Sequence, residues 1–305
     1  MSRITDKDEK RVDVKVGFSC NNRCLFCVQG RKRYDIGDFS TREIFQKLEE
    51  SRKVADSIVF TGGEITIRKD FLTLVGYAKR LDFRIIQIQT NGRMFAYKKF
   101  CEEAIKAGAN EFSPALHGHI PQLHDFLTRS KGSFEQTVSA IRNLKTLDQY
   151  VLTNTVITKS NYRHLEEIAR LLVKLGVDQY QFAFVHPVGT AMEYFERVVP
   201  RMRMIEPYVK RGLDIGIKAN KRVMTEAIPY CIMKDYEEYI AERIIPVTTI
   251  YDANFVVENY TEFRLNEGKK KGPECKKCKY YSVCEGPWRE YPEKYGFDEF
   301  TPVRE

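Results

Sequence analysis

No stretch of the 305-residue sequence reaches the roughly 18 consecutive apolar residues that a membrane-spanning helix needs. The opening segment, MSRITDKDEKRVDVKV, lacks the apolar core of a secretory signal, which speaks against export. Repeats and low-complexity tracts are absent too, so solenoid and fibrous classes drop out. A strong charge of one sign is also missing: 50 Lys and Arg against 42 Asp and Glu leave +8, spread along the chain. That excess permits an anionic partner without demanding one. With 43% hydrophobic and 30% charged residues the chain is globular rather than disordered. What the sequence has in quantity is cysteine, eight residues of it. In a chain that is not exported the expected compartment is a reducing cytoplasm, where thiols serve metal ligation or catalysis before disulfides.

The eight fall into three groups. Cys20, Cys24 and Cys27 form a tight trio, CNNRCLFC. Cys231, Cys275, Cys278 and Cys284 form a second set centred on CKKCKYYSVC. Cys101 stands alone in FAYKKFCEEAIKAG, a pattern that buries it in a helix core. Three and four thiolates do different chemistry. Four saturate a cubane iron–sulfur cluster or close a tetrahedral zinc site. Three on a four-iron cluster leave one iron open, and an open position marks a reactive centre. For the second set the spacing of Cys275 and Cys278 suits zinc and iron–sulfur equally.

Along the chain, strand-like and helix-like segments alternate. VDVKVGF at 12–18 is a strand that runs straight into the trio. Apolar runs at 57–60, 84–89, 110–117, 150–157 and 178–185 follow, separated by helical stretches near 40–53, 70–80, 95–107, 133–146 and 161–174. Ala107-Gly108 and Gly176 are helix stops, and Ser133 is a candidate N-cap. A helix over 193–212 closes the series. Six strand–helix units predict an α/β fold with a parallel sheet, a barrel two units short of eight and open on one side. Sites of such sheets lie at the carboxyl ends of the strands, where the trio falls. Beyond residue 212, IPVTTIYD and NFVVENYTEF flank Asp252-Ala253-Asn254 and predict a β-hairpin between the second set's ligands. The expected division is 1–212 for the barrel and 213–305 for a small cluster-binding domain of hairpin and helix.

The C-x3-C-x2-C trio, with Phe26 before its last cysteine, resembles the radical S-adenosylmethionine (SAM) superfamily. Gly62-Gly63-Glu64 after the second strand resembles its GGE motif, and Thr90-Asn91-Gly92 after the third its TNG. Ser113 to His117 and Asn154-Thr155 fall in the zones that contact SAM. The resemblance covers roughly residues 12–212 and implies a partial (β/α)6 TIM-type barrel. In it a [4Fe-4S] cluster on Cys20, Cys24 and Cys27 is completed by SAM. SAM contacts are expected at Phe26, Gly62, Gly63, Glu64, Thr90, Asn91, Ser113, Asn154 and Thr155, with the two glycines giving the methionine amino group room. The chemistry implied is reductive cleavage of SAM to a 5′-deoxyadenosyl radical that abstracts a substrate hydrogen. The second set resembles twitch and SPASM domains, although the further cysteines of a two-cluster SPASM domain are missing. It implies one auxiliary [4Fe-4S] cluster on Cys231, Cys275, Cys278 and Cys284, with zinc as the alternative.

Net oxidation of the substrate is the expected outcome, with modification of a peptide or small molecule close behind. Substrate candidates are His117, His119, Arg129 and His186. The first three lie in a loop whose histidines also have an ordinary role as turn and cap residues. The basic run Arg31-Lys32-Arg33 suits the acidic surface of a flavodoxin- or ferredoxin-type electron donor. Only about eleven residues precede the first strand, so a fused leader-peptide domain is not expected. The rival reading is a non-catalytic zinc protein that binds RNA. It predicts interleaved basic and aromatic residues on one face, a pattern the sequence does not show; nucleic acid stays open as a substrate.

Overall fold

The computed structural model describes residues 9–304. The opening residues 1–8, where export and leader-domain expectations begin, lie outside the described residues.

The strands are β1 (Lys10–Lys15), β2 (Ser57–Thr61), β3 (Ile85–Thr90), β4 (Glu111–Pro114), β5 (Tyr150–Ile157), β6 (Gln179–Phe184), β7 (Arg222–Glu226), β8 (Val247–Tyr251) and β9 (Val256–Val257). They form one sheet in the order β7-β6-β5-β4-β3-β2-β1-β8-β9, parallel except for the β8–β9 pair. The principal helices are α1 (Thr41–Arg52), α2 (Phe71–Arg80), α3 (Lys98–Ala107), α4 (Pro121–Thr128), α5 (Ser133–Thr146), α6 (Leu165–Lys174), α7 (Met202–Lys218) and α8 (Glu290–Tyr295). The architecture is the expected partial barrel, and its sheet is not closed. Strand alternation builds two layers. Val12, Val14, Ile58, Phe60, Ile86 and Ile88 are buried toward the helices. Arg11, Asp13, Lys15, Gln87 and Gln89 face inward and line the lumen.

Local chemistry fixes the element ends. Ser40 caps α1 in a reciprocal box with Glu43. Gly108 ends α3 at φ +129°, a conformation that favours glycine. Ser133 is the first residue of α5 rather than its cap. The Asp125 carboxylate accepts instead from Gly132 N (2.6 Å), Phe134 N (2.8 Å) and the Ser133 hydroxyl (2.9 Å). Cys101 is fully buried, as its helical pattern predicts.

Past the sixth strand the reading and the structure differ. The stretch at 193–212 is two single turns followed by α7, which runs through residue 212. The sheet then resumes with β7, and β8 joins it on the other side, parallel to β1. The hairpin exists, with Ile250 opposite Val257 and Tyr251 opposite Val256. Its second arm is only two residues long because Asn259 accepts from Thr261 N and Glu262 N and turns the chain into a helix. Ala241, Ile244, Ile245 and Tyr260 line the lumen as well, from the segments between and after β7 and β8.

Candidate active site

The trio lies in the loop leaving β1, and the rest of the barrel grips that loop by its backbone. Arg23 N and Leu25 N donate to Thr128 O (2.9 Å) and Leu127 O (3.0 Å) at the end of α4. Arg93 donates to Asn21 O (2.6 Å) and Arg33 to Asn22 O (2.9 Å). Thr190 N donates to Cys27 O (2.9 Å). The three thiols are partly accessible and unpaired. Burial raises the pKa of Cys20. It raises that of Cys24 too, and the neighbouring Cys27 and Cys20 add to it. Thiols that oppose one another's ionisation in this way form a donor set whose thiolate state a bound cation stabilises.

Gly62, Gly63 and Glu64 have a structural role at the root of the cysteine loop. A Cβ on Gly62 would lie 2.3 Å from Gly17 O, and one on Gly63 would lie 2.2 Å from Ser19 O. Gly63 N and Glu64 N each donate at 2.8 Å to Gly17 O and Ser19 O. The two glycines therefore let the end of β2 clasp the root of the cysteine loop. Glu64 is buried, and its carboxylate accepts from Thr66 N (3.1 Å), Thr90 Oγ1 (2.7 Å) and Asn91 N (2.6 Å). Burial raises its pKa against these bonds. It ties the β2 motif to the β3 motif from within, and Thr90 is spent on the same tie. Asn91 Nδ2 donates to Asn21 Oδ1 at 2.6 Å and reaches Cys20 Sγ at 3.9 Å.

The lumen is a cavity of about 470 Å³. Of the expected SAM contacts, Phe26, Ser113 and Asn154 line it. Asn154 Oδ1 is buried with no hydrogen-bond partner among the described residues, an acceptor awaiting a ligand donor. Thr155 points away and donates to Leu116 O at 2.7 Å.

Among the substrate candidates only His186 reaches the lumen. His117 is buried against Phe26, its ring centre 4.6 Å away. It accepts from Val156 N, and burial drives its pKa well below that of ordinary imidazole. His119 packs on His164 at 5.1 Å, outside the lumen. Arg129 is an exposed left-handed cap of α4. These three are loop structure, the ordinary role of such turn residues.

Sequence reading missed much of the lumen: Lys15, Thr61, Gln89, Gln181 and Glu226 all line it, whereas Trp288, which also lines it, lies in the segment after Cys284 expected to approach the barrel opening. The signal was the polar half of the strand alternation, in KRVDVK and RIIQIQ, set aside in favour of the apolar half. Lys15 pairs with Asp252 in the β8–β9 turn, which Lys32 also meets at 2.7 Å. Burial works against Asp252 ionising, but the two lysines outweigh it and hold its carboxyl below the usual range. Glu226 is the opposite case: burial, and after it the charge of Glu242, raises its pKa.

The second set converges from distant positions. Cys231, Cys275, Cys278 and Cys284 line one cavity with Pro229, Tyr230 and Tyr281. Burial first, then Cys284, Cys275 and Cys278, push Cys231 up to about 12. Beside the cavity lies a buried ion network. Glu285 takes Arg264 through two bonds (2.8 and 2.9 Å) and Lys269 (2.8 Å), and Lys269 also meets Glu242 (2.6 Å). No three Cys, His, Asp or Glu side chains among the described residues form a ready single-ion site.

A model of the Radical SAM superfamily matches residues 14–172. An AdoMet-dependent heme synthase of Oleidesulfovibrio alaskensis is 27% identical over 187 residues, covering 61% of this chain and 48% of that protein. A probable GTP 3′,8-cyclase of Saccharolobus islandicus is 26% identical over 205 residues, covering 67% and 64%. The chain thus spans between about half and just under two thirds of the length of these curated relatives. Among solved structures, Streptococcus suis SuiB bound to S-adenosylmethionine superposes with a TM-score of 0.70 over 97% of this chain and 77% of that one, at 15% identity. The anSMEcpe structure with bound AdoMet and a peptide gives 0.64 over 97% and 93%, at 16% identity. At such identities the likeness is one of fold.

Proposed function

Because the chain belongs to the radical SAM superfamily, we infer that it is an enzyme carrying a [4Fe-4S] cluster on Cys20, Cys24 and Cys27 and binding SAM in the lumen. When bound, the cluster and SAM supply a 5′-deoxyadenosyl radical that takes a hydrogen atom from the substrate. The chain's own residues do the rest. Phe26 walls the lumen beside the trio. Ser113 and Asn154 offer hydroxyl and amide groups to SAM. Gly62, Gly63 and Glu64 act one step back, fixing the cysteine loop to β2 and β3. Membership of an enzyme superfamily displaces the rival reading of a non-catalytic zinc protein that binds RNA.

The fate of the substrate is net oxidation, or modification of a peptide or small molecule, with an auxiliary cluster on Cys231, Cys275, Cys278 and Cys284 as electron acceptor. The observation that carries this reading is the convergence of all four second-set cysteines on one cavity. Zinc in the same place would be redox-silent. The electron donor is a flavodoxin- or ferredoxin-type protein. Eight free thiols suit a reducing cytoplasm. No helix among the described residues is long and apolar enough to cross a membrane.

The test is anaerobic reconstitution with iron and sulfide, then dithionite and SAM. About eight irons per chain, as two four-iron clusters require, with release of 5′-deoxyadenosine, supports the whole reading. Replacing Cys20, Cys24 and Cys27 together with Ala should remove half the iron and all SAM cleavage. Cleavage that survives the triple replacement sinks the first-site assignment. Zinc in place of the second iron sinks the electron-acceptor role.

A further inference from the structure

Between β7 and β8 the chain makes two short helical turns, Glu237–Tyr239 and Ala241–Arg243. They border a groove of about 690 Å³ that is separate from the lumen. Ala241 and Tyr260 line the lumen, and the residues that follow them, Glu242 and Thr261, line the groove. At both places the wall between the two spaces is one chain thick. The charge of the groove runs against that of the molecule. Five carboxylates and a single guanidinium, that of Arg243, line it in a chain of net charge +8. Two of the five are occupied from behind: Arg264 and Lys269 hold Glu285, and Lys269 meets Glu242. Of the other three, Asp235 and Glu238 are exposed and Glu237 is half-buried.

A row of carboxylates is by itself an ordinary solvated surface. Glu242 sets this one apart. Its side chain is 5% exposed. Oε1 accepts from Lys269 Nζ (2.6 Å) and Ala227 N (2.7 Å), while Oε2 is buried with no hydrogen-bond partner among the described residues. A buried acceptor left open is costly, and on a groove wall a donor brought from outside can fill it. The rim is aromatic and apolar. Tyr230 and Tyr280 stand 4.7 Å apart, and the Tyr280 hydroxyl donates to Glu237 Oε1 at 2.9 Å. The Lys279 ammonium lies 5.2 Å from the Tyr280 ring centre, so a cation of the chain's own surface already rests on this rim. Leu265 and Val283 add exposed apolar surface.

These carboxylates do not converge on one point, and no three Cys, His, Asp or Glu among the described residues form a single-ion site. Separated carboxylates with tyrosine faces and apolar contacts between them match an extended chain that carries several cations. We propose that the groove binds a basic peptide segment, with one guanidinium or ammonium reaching Glu242 Oε2 and others meeting Asp235, Glu237 and Glu238. A guanidinium suits the inner position best, because its planar fork pairs with a carboxylate and loses little on desolvation. The proposal rests on the peptide-modifying form of the function above and gives it a recognition site outside the lumen. Arg243, which donates to Glu237 O at 3.3 Å, is the chain's own competitor for the same carboxylates.

The test titrates the reconstituted full-length protein into a fluorescein-labelled hexapeptide of alternating arginine and alanine and follows anisotropy. A glutamate–alanine hexapeptide with the same label is the counter-probe. The net charge of the chain repels the first and attracts the second, so preference for the basic peptide reports a local site rather than bulk charge. Asp235→Asn combined with Glu238→Gln should weaken binding about fivefold, the worth of two exposed ion pairs. Glu242→Gln should weaken it about tenfold, the worth of one charge-assisted bond. Arg243→Gln should tighten it about twofold. Glu102→Gln with Glu103→Gln, exposed on α3, should change nothing. If Glu242→Gln unfolds, the exposed pair and Arg243 decide the matter.

Absence of preference for the basic peptide, indifference to the exposed pair, or an equal loss on the α3 pair overturns the proposal. So does displacement by spermidine at the peptide's own concentration, which would make the ligand a free polyamine. A concentration-dependent dimer that excludes the peptide in sedimentation overturns it too, since a second copy would then be the occupant. SAM cleavage is no part of the readout. Cleavage without peptide binding removes the groove and leaves the radical reading standing; peptide binding without cleavage does the reverse.

Discussion

The two cysteine sites are held by opposite means. The trio sits in a loop fastened by backbone contacts: two glycines, five backbone N–H groups and two arginine bonds to carbonyls. The second set is assembled from both ends of a 54-residue stretch and braced by side chains, with Arg264, Lys269, Glu242 and Glu285 closed off from water beside it. A loop held by its backbone keeps its side-chain positions free for chemistry, which suits a site that must leave one iron open. A buried ion network is rigid and specific but intolerant of losing a member. The cysteines of both sets are partly accessible, so the two sites differ in what braces them rather than in how far they are enclosed.

The sharpest way to break this comparison is at Glu285. Glu285→Ala leaves Arg264 without its carboxylate partner and strips Lys269 to one, in a place where neither cation meets water. Removing one member of a buried pair costs about 3–5 kcal/mol. Urea unfolding should show that loss, and iron analysis should show depletion at the second site with the first retained. Equal depletion at both would mean that the network braces the whole barrel rather than one site. Gly63→Ala tests the other side. Its Cβ would press on Ser19 O, and overpacking of this kind costs about 1–3 kcal/mol. Iron should now leave the first site and stay at the second. If Gly63→Ala binds a full complement of iron, the clasp between β2 and the cysteine loop is not what shapes the trio.

How much of this was legible in the sequence follows the same division. The trio, the alternation of strands and helices and the open barrel were all local signals, carried by spacing and period. The roles of Gly62, Gly63 and Glu64 were not, because a motif names residues without saying which neighbour occupies the space beside them. Ser133 looked like a cap until Asp125, eight residues earlier, took the bonds. The second arm of the hairpin carried strand-like residues, yet Asn259 turned it into a helix. His186 comes from one segment and Trp288 and Glu290 from another far along the chain, and only the fold brings them together. Contacts between segments far apart in the chain leave little trace in any one of them.

The smallest expected effects concern two carboxylates with opposite pH signatures, Glu226 in the lumen and Asp252 in the β8–β9 turn. Asp252 has a depressed pKa in the folded chain. Its contribution is complete above the ordinary carboxylate range and fades as pH falls through the lowered value. Asp252→Asn should therefore destabilise the protein near neutrality, by about 1–3 kcal/mol for charge-assisted bonds lost to two lysines, and the gap to wild type should close in acid. Glu226 has a raised pKa, so the folded state holds its proton longer and stability falls as pH rises between the ordinary and the raised values. Glu226→Gln removes that fall. The variant should be more stable than wild type at neutral pH, and the gain should vanish in acid. Thermal unfolding across pH measures both. The diagnostic is the opposite sign of the two differences at neutral pH, since a generic perturbation of the lumen would destabilise both variants alike. Opposite signs would place Asp252 with the structural clamps of the β8–β9 turn and mark Glu226 as a group whose burial is maintained against stability, as a residue kept for ligand contact would be.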